Sequence, residues 1–220
     1  EYQAWMEEIR RLLAPKQSSL ASSWRQAQAL QWCASSPEAG LAYLVRQALR
    51  KGMTGADSLA MQEAIAALRP YRGGSATEAL TALEGRLREG VELEEDGEPS
   101  VAELEGVMRQ GTELVRGDAF AQKLEQVLRW LRETPEEKFV IFAQPLETVY
   151  LLARRLSQET GVSLILGGQS NDERRREITR FRQDRAVRVM VSSRSGGEVV
   201  AQAIRPRMAG PMKPIAVSRL

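Results

Sequence analysis

The sequence predicts a mixed α/β protein: a helical region first, then an incomplete parallel sheet flanked by helices. Three observations carry this expectation. Apolar residues recur at helical spacing from the start of the chain to about residue 134. Beyond Thr134-Pro135 the pattern switches to short runs of branched and aromatic residues, suited to strands buried on both faces. Helical stretches separate these runs, and strand–helix–strand alternation is the plan of a parallel sheet.

In chain order, Trp5, Ile9, Leu12 and Leu13 mark one face of a first helix that ends at Pro15-Lys16. A second runs from about Leu20 to Trp32. Ser36 with Pro37 gives a third its N-cap and first position, and Leu41, Leu44, Val45, Ala48 and Leu49 form its apolar face. Gly52 and Gly55 close it. Asp57 is the expected cap of a fourth helix, which ends before Pro70. A fifth is expected from about Ala76 to Arg88, a sixth from Ser100 to about Val115, and a seventh from Asp118 to residue 133. The first strand is Phe139, Val140, Ile141 and Phe142. Pro145 opens a helix carrying Val149, Leu152 and Leu156. Val162 and Leu164–Ile165–Leu166 form the second strand. Asp172 is the expected cap of an Arg-rich helix with Ile178 and Phe181 inward, and Val187, Val189 and Val191 form the third strand. Right-handed crossovers would make these strands parallel and neighbouring.

The composition excludes several kinds of chemistry. The 220 residues hold no histidine, which removes Ser/His and Cys/His catalysis and the commonest transition-metal ligand. The single cysteine, Cys33, cannot form an intramolecular disulfide and reads as a small packed residue, which fits a reducing, cytoplasmic setting. No apolar run is long enough to span a bilayer. The net charge of +2 hides an uneven distribution. Residues 89–105 carry Glu89, Glu92, Glu94, Glu95, Asp96, Glu98, Glu103 and Glu105 and no basic residue, as a solvated linker would. Residues 174–188 carry Arg174, Arg175, Arg176, Arg180, Arg182, Arg185 and Arg188.

Two Gly-rich loops follow predicted strands. Gly167-Gly168-Gln169-Ser170 stands between a strand end and a helix start, where open α/β sheets place ligands and backbone N–H groups hold anions. A plain strand-to-helix turn explains it equally well. Ser192-Ser193-Arg194-Ser195-Gly196-Gly197-Glu198 has the small residues that let a phosphate approach the main chain, and is also an ordinary loop composition. Arg174, Arg175, Arg176 and Arg180 on a helix surface either neutralise phosphates without reading bases or form a solvated basic face.

Taken in order, Phe139-Val-Ile-Phe-Ala-Gln144, Gly167-Gly-Gln-Ser170, Asp172-Glu-Arg with Ile178 and Phe181, and Ser192-Ser-Arg-Ser-Gly-Gly-Glu198 resemble the second RecA-like lobe of Swi/Snf-type, RapA-like ATPases of helicase superfamily two. The resemblance spans about residues 118–198. The phrase Leu30-Gln-Trp-Cys-Ala-Ser-Ser-Pro37 resembles a segment between the two lobes of RapA-like proteins. The resemblance implies a helical insertion over 1–117, a partial second lobe over 118–202 and a divergent tail over 203–220. It further implies that Gln144 and Glu198 border a nucleotide cleft. Gly167, Gly168, Gln169 and Ser170, with Ser192, Ser193, Gly196 and Gly197, would face the nucleic-acid track. Duplex DNA, bound by its backbone, is the implied partner, and ATP with magnesium the implied cofactors.

The sequence departs from the family after Glu198, where Val199, Val200, Ala201 and Gln202 replace the expected Gly and Asn-Leu-Gln. The tail lacks the paired arginines of the family's finger segment, and Pro206, Pro211 and Pro214 argue against regular strand pairing there. There is no Gly-x-x-x-x-Gly-Lys-Ser/Thr motif and no Asp-Glu pair after an apolar strand. Phosphoryl transfer depends on such parts for nearly all its rate. ATP hydrolysis is therefore expected only with a complementary lobe carrying a P-loop. The rival expectation is a non-catalytic interaction scaffold, including self-association through an uncovered sheet edge.

Overall fold

The computed structural model describes residues 1–14, 20–68, 85, 87, 99–193 and 212–216, with 20–23, 25 and 212–216 described by their backbone alone. The chain divides into two compact units, Glu1–Phe120 and Ala121–Leu220.

In the first unit the described elements are helices: α1 (Tyr2–Leu12), α2 (Leu20–Ser35), α3 (Pro37–Arg50), α4 (Leu59–Ala67) and α5 (Val101–Arg116). Local chemistry sets their ends. The Ser36 side chain accepts from Ala39 N–H, and Pro37 takes the first turn, where its missing N–H costs nothing. Gly52 ends α3 with φ +74°, a conformation that penalises any side chain. Ser100 and Glu103 form a capping box at the start of α5. The fourth helix is capped by Ser58, not by the expected Asp57, whose carboxylate instead accepts from Thr54 Oγ1 at 2.5 Å. The helix expected over residues 76–88 lies outside the described residues except at Gly85 and Leu87, which are helical.

Trp5 organises this core. It is 2% exposed, and its indole N–H donates to Val107 O at 2.8 Å. A Cβ added to Gly40 would lie 2.7 Å from the indole, and one added to Gly111 would also lie 2.7 Å from it. Two bare patches of helix, on α3 and α5, therefore accommodate the ring. Tyr2 stacks on Trp5 at 6.1 Å, and its hydroxyl donates to Cys33 O. Burial pushes the Cys33 thiol up to about 12. A thiol whose folded pKa lies above its unfolded value near 9.0 adds stability that is complete below pH 9 and is lost as pH rises toward 12. Cys33 is accordingly expected to resist a disulfide reagent at pH 8 in the native chain and to react at once in denaturant. Stoichiometric labelling of the native protein within minutes would contradict this burial.

The second unit holds α6 (Ala121–Glu133), β1 (Lys138–Ala143), α7 (Leu146–Leu156), β2 (Gly161–Ile165), α8 (Asn171–Gln183), β3 (Val187–Ser193) and β4 (Met212–Ala216). α6 begins at Ala121, three residues after Asp118. Asp118 takes φ 54° in the turn before it, a conformation Asp tolerates better than most residues. All strand pairs are parallel, in the order β2-β3-β1-β4. Two expectations change here. β1 and β2 are not neighbours, because β3 lies between them. The tail also contributes a strand: β4 pairs with β1 from Lys138↔Met212 to Phe142↔Ala216 despite Pro214. Among the described residues β4 is an edge strand, a place in a sheet where a missing N–H is tolerated.

Strand residues alternate between two buried faces. Val140, Ile165 and Met190 pack with Ile178 and Phe181 of α8. Phe139, Ile141, Val189 and Val191 are equally buried and point the opposite way, toward the face that α7 covers with Val149, Leu152 and Leu156. This is a sheet with helices on both sides.

Candidate nucleic-acid interface

Parallel pairing brings the strand C-termini to one edge of the sheet. Ala143 lies beside Ser193, and Ile165 beside Ser192. Gln144, the 167–170 loop and the chain beyond Ser193 thus all leave the same edge, where open α/β sheets bind ligands. Gly196, Gly197 and Glu198, with Arg194 and Ser195, lie outside the described residues.

Within the 167–170 loop the four residues differ in availability. Gly167 and Gly168 are exposed, and a Cβ added at Gly168 would meet nothing within 4 Å. The Gln169 amide is fully engaged: Oε1 accepts from Leu166 N–H at 2.9 Å and Nε2 donates to Leu164 O at 3.1 Å. Ser170, not Asn171 or Asp172, is the N-cap of α8. Its Oγ donates to Glu173 Oε2 at 2.8 Å and accepts from Glu173 N–H at 3.3 Å, while Ser170 N–H donates to Glu173 Oε2 at 2.7 Å. The Ser170 hydroxyl and amide, with Arg176 nearby, hold the Glu173 carboxyl below the usual carboxylate range. The N-terminus of α8, a natural anion site, already carries an anion of its own.

The arginines of α8 also part company. Arg174 lies on the same side of the helix as Ile178 and Phe181, is half-buried, and donates from Nη2 to Gly167 O at 2.5 Å. It ties the loop to the helix. Arg175, Arg176 and Arg180 are exposed. Arg180 approaches Glu177 at 3.7 Å, and Asp172, Glu173 and Glu177 stand among the basic residues, so the charge on this helix is mixed. Ser192 and Ser193 are buried at 0% and 4% exposure, and Ser192 Oγ donates to Ser193 O at 3.0 Å. Gln144 is exposed at the end of β1.

Two cations that the charge pattern left undistinguished hold the opposite end of the sheet. Arg188 reaches from β3 to donate to Leu131 O at 2.9 Å and Thr134 O at 2.7 Å through Nη2, and to Glu137 O at 3.4 Å through Nε. Lys138 Nζ donates to Phe181 O and to Asp184 O, and lies 5.3 Å from the centre of the Phe181 ring. Burial lowers the Lys138 pKa, with Asp184 opposing. Each side chain satisfies carbonyls at or just beyond a helix C-terminus, where cations belong. A charge set inside the apolar β3 run was the available sign for Arg188.

Among the described residues no group of three or more Asp, Glu or Cys is placed to hold a metal ion, and no helix is long and apolar enough to cross a membrane. No protein-family model matches this chain, and neither a curated protein nor a solved structure does.

Proposed function

We propose that the second unit is a nucleic-acid-backbone-binding lobe of Swi/Snf type that acts in an ATP-driven translocase only alongside a lobe carrying a P-loop. The supporting observation is the gathering of Gln144, Gly167, Gly168 and Ser193 at the C-terminal edge of a parallel sheet. The residues of this chain do not fit magnesium and a nucleoside triphosphate on their own. The sequence has no phosphate-cradling motif, and the described residues offer no carboxylate cluster. Hydrolysis is therefore assigned to the partner lobe. On this chain the DNA falls to the open main chain at Gly167 and Gly168 and to Arg175, Arg176 and Arg180. Groups of this kind meet backbone phosphates and carry little sequence preference.

A second reading, a protein-interaction scaffold, draws support from the carboxylates of Asp172, Glu173 and Glu177 among those arginines. Duplex binding at low salt separates the two. The native chain is expected to bind, and its affinity to fall steeply as salt rises. The variant Arg175→Ala/Arg176→Ala/Arg180→Ala is expected to bind more weakly, its log–log salt slope reduced by about 0.9 for each phosphate that the missing guanidinium groups no longer neutralise. Equal binding by the two removes α8 from the interface. Absence of binding by the native chain at low salt favours the scaffold.

A further inference from the structure

Among the described residues β2 ends the sheet order, and one side of it has no neighbouring strand. Edge strands present free N–H and C=O groups that recruit strands from other chains. Here those groups are occupied at the C-terminal end of the strand. Leu164 N–H donates to Glu177 Oε2 at 3.1 Å, and Leu164 O accepts from Gln169 Nε2 at 3.1 Å. Leu166 N–H donates to Gln169 Oε1 at 2.9 Å. The Gln169 side-chain amide offers one acceptor and one donor, as a peptide group of an added strand would. Glu177 is itself held in place, since its main-chain oxygen accepts from Ser163 Oγ at 3.0 Å.

We propose that Gln169 and Glu177 form an edge guard that excludes strand addition at β2 by a second copy of this chain. The guard is independent of the nucleic-acid reading. It removes the β2 edge from the surfaces through which a scaffold of this kind would self-associate, and it gives Gln169 a role unrelated to phosphate.

The test compares Gln169→Ala/Glu177→Ala with the native chain. In the native chain the amides of Leu164 and Leu166 should be protected from hydrogen exchange. In the double variant their exchange should accelerate roughly tenfold or more, because each loses its acceptor. Light scattering after gel filtration should show the variant associating at concentrations where the native chain does not. Glu177→Gln, which retains an oxygen acceptor, should behave as the native chain does. Should the double variant fail to fold, Gln169→Ala alone is read in the same way at Leu166. Two results would overturn the guard: fast exchange at Leu164 and Leu166 in the native chain, or fast exchange in the variant with no gain in association.

Discussion

Replacing Trp5 by alanine is expected to destabilise the helical unit by about 3–5 kcal/mol, the usual cost of deleting a buried Trp. The ring is 2% exposed and packs against two helix glycines, whose bare backbone cannot expand to fill the lost volume. Its N–H bond to Val107 O, 2.8 Å long, is lost as well. Trp5→Phe keeps most of the ring and loses that bond, for an expected cost of about 1–2 kcal/mol. Gly111→Ala attacks the same packing from the other side. Its Cβ would fall 2.7 Å from Trp5 Cζ2, and strain of this kind costs about 1–3 kcal/mol. Guanidinium midpoints followed by far-ultraviolet circular dichroism measure all three. A loss under about 1 kcal/mol for Trp5→Ala would show that the ring is not the centre of this core.

Replacing Arg188 by alanine is expected to cost the α/β unit about 2–4 kcal/mol, because charge-assisted bonds to three carbonyls disappear together. The acceptors, Leu131 O, Thr134 O and Glu137 O, lie at the end of α6 and in the turn leading to β1. Losing the guanidinium frees the joint that feeds the first strand. Arg188→Lys should recover less than half of the loss, since one ammonium cannot reproduce the planar fork that spans these acceptors. Denaturation midpoints together with hydrogen exchange over residues 138–143 provide the measurement. If Arg188→Ala unfolds at the native midpoint, the clamp contributes nothing. Any duplex binding under the proposed function should be unchanged in either variant, which would separate Arg188 from the exposed arginines of α8.

The helical register and the first three strands were legible because burial imposes periods that local sequence displays. Caps were legible where a single residue qualified, as at Ser36 and Ser100. They were misplaced where two neighbours qualified, as at Asp57 and Ser58 or at Ser170 and Asp172, although the Ser-x-x-Glu spacing of Ser170 and Glu173 was the sign of a capping box. Strand order was not legible, because it depends on which strand each crossover skips. β4 was missed because prolines count against a strand only when it lies inside a sheet. The placing of Gly167 and Gly168 beyond the C-terminal end of β2 followed from parallel topology. The engagement of Arg174, Gln169 and Ser192 did not, since each bonds to an atom whose position only the folded chain defines.

The bond from Trp5 to Val107 also bears on how this protein is made. The two residues are 102 positions apart. At roughly 5–20 residues per second, the ribosome adds the acceptor some 5–20 s after the indole. Throughout that interval Trp5 has α3, with Gly40, to pack on but lacks α5, which supplies Val107 O and Gly111. Until α5 follows, the face carrying Trp5 and Ile9 stays partly uncovered, and it is a surface that a nascent-chain chaperone would meet.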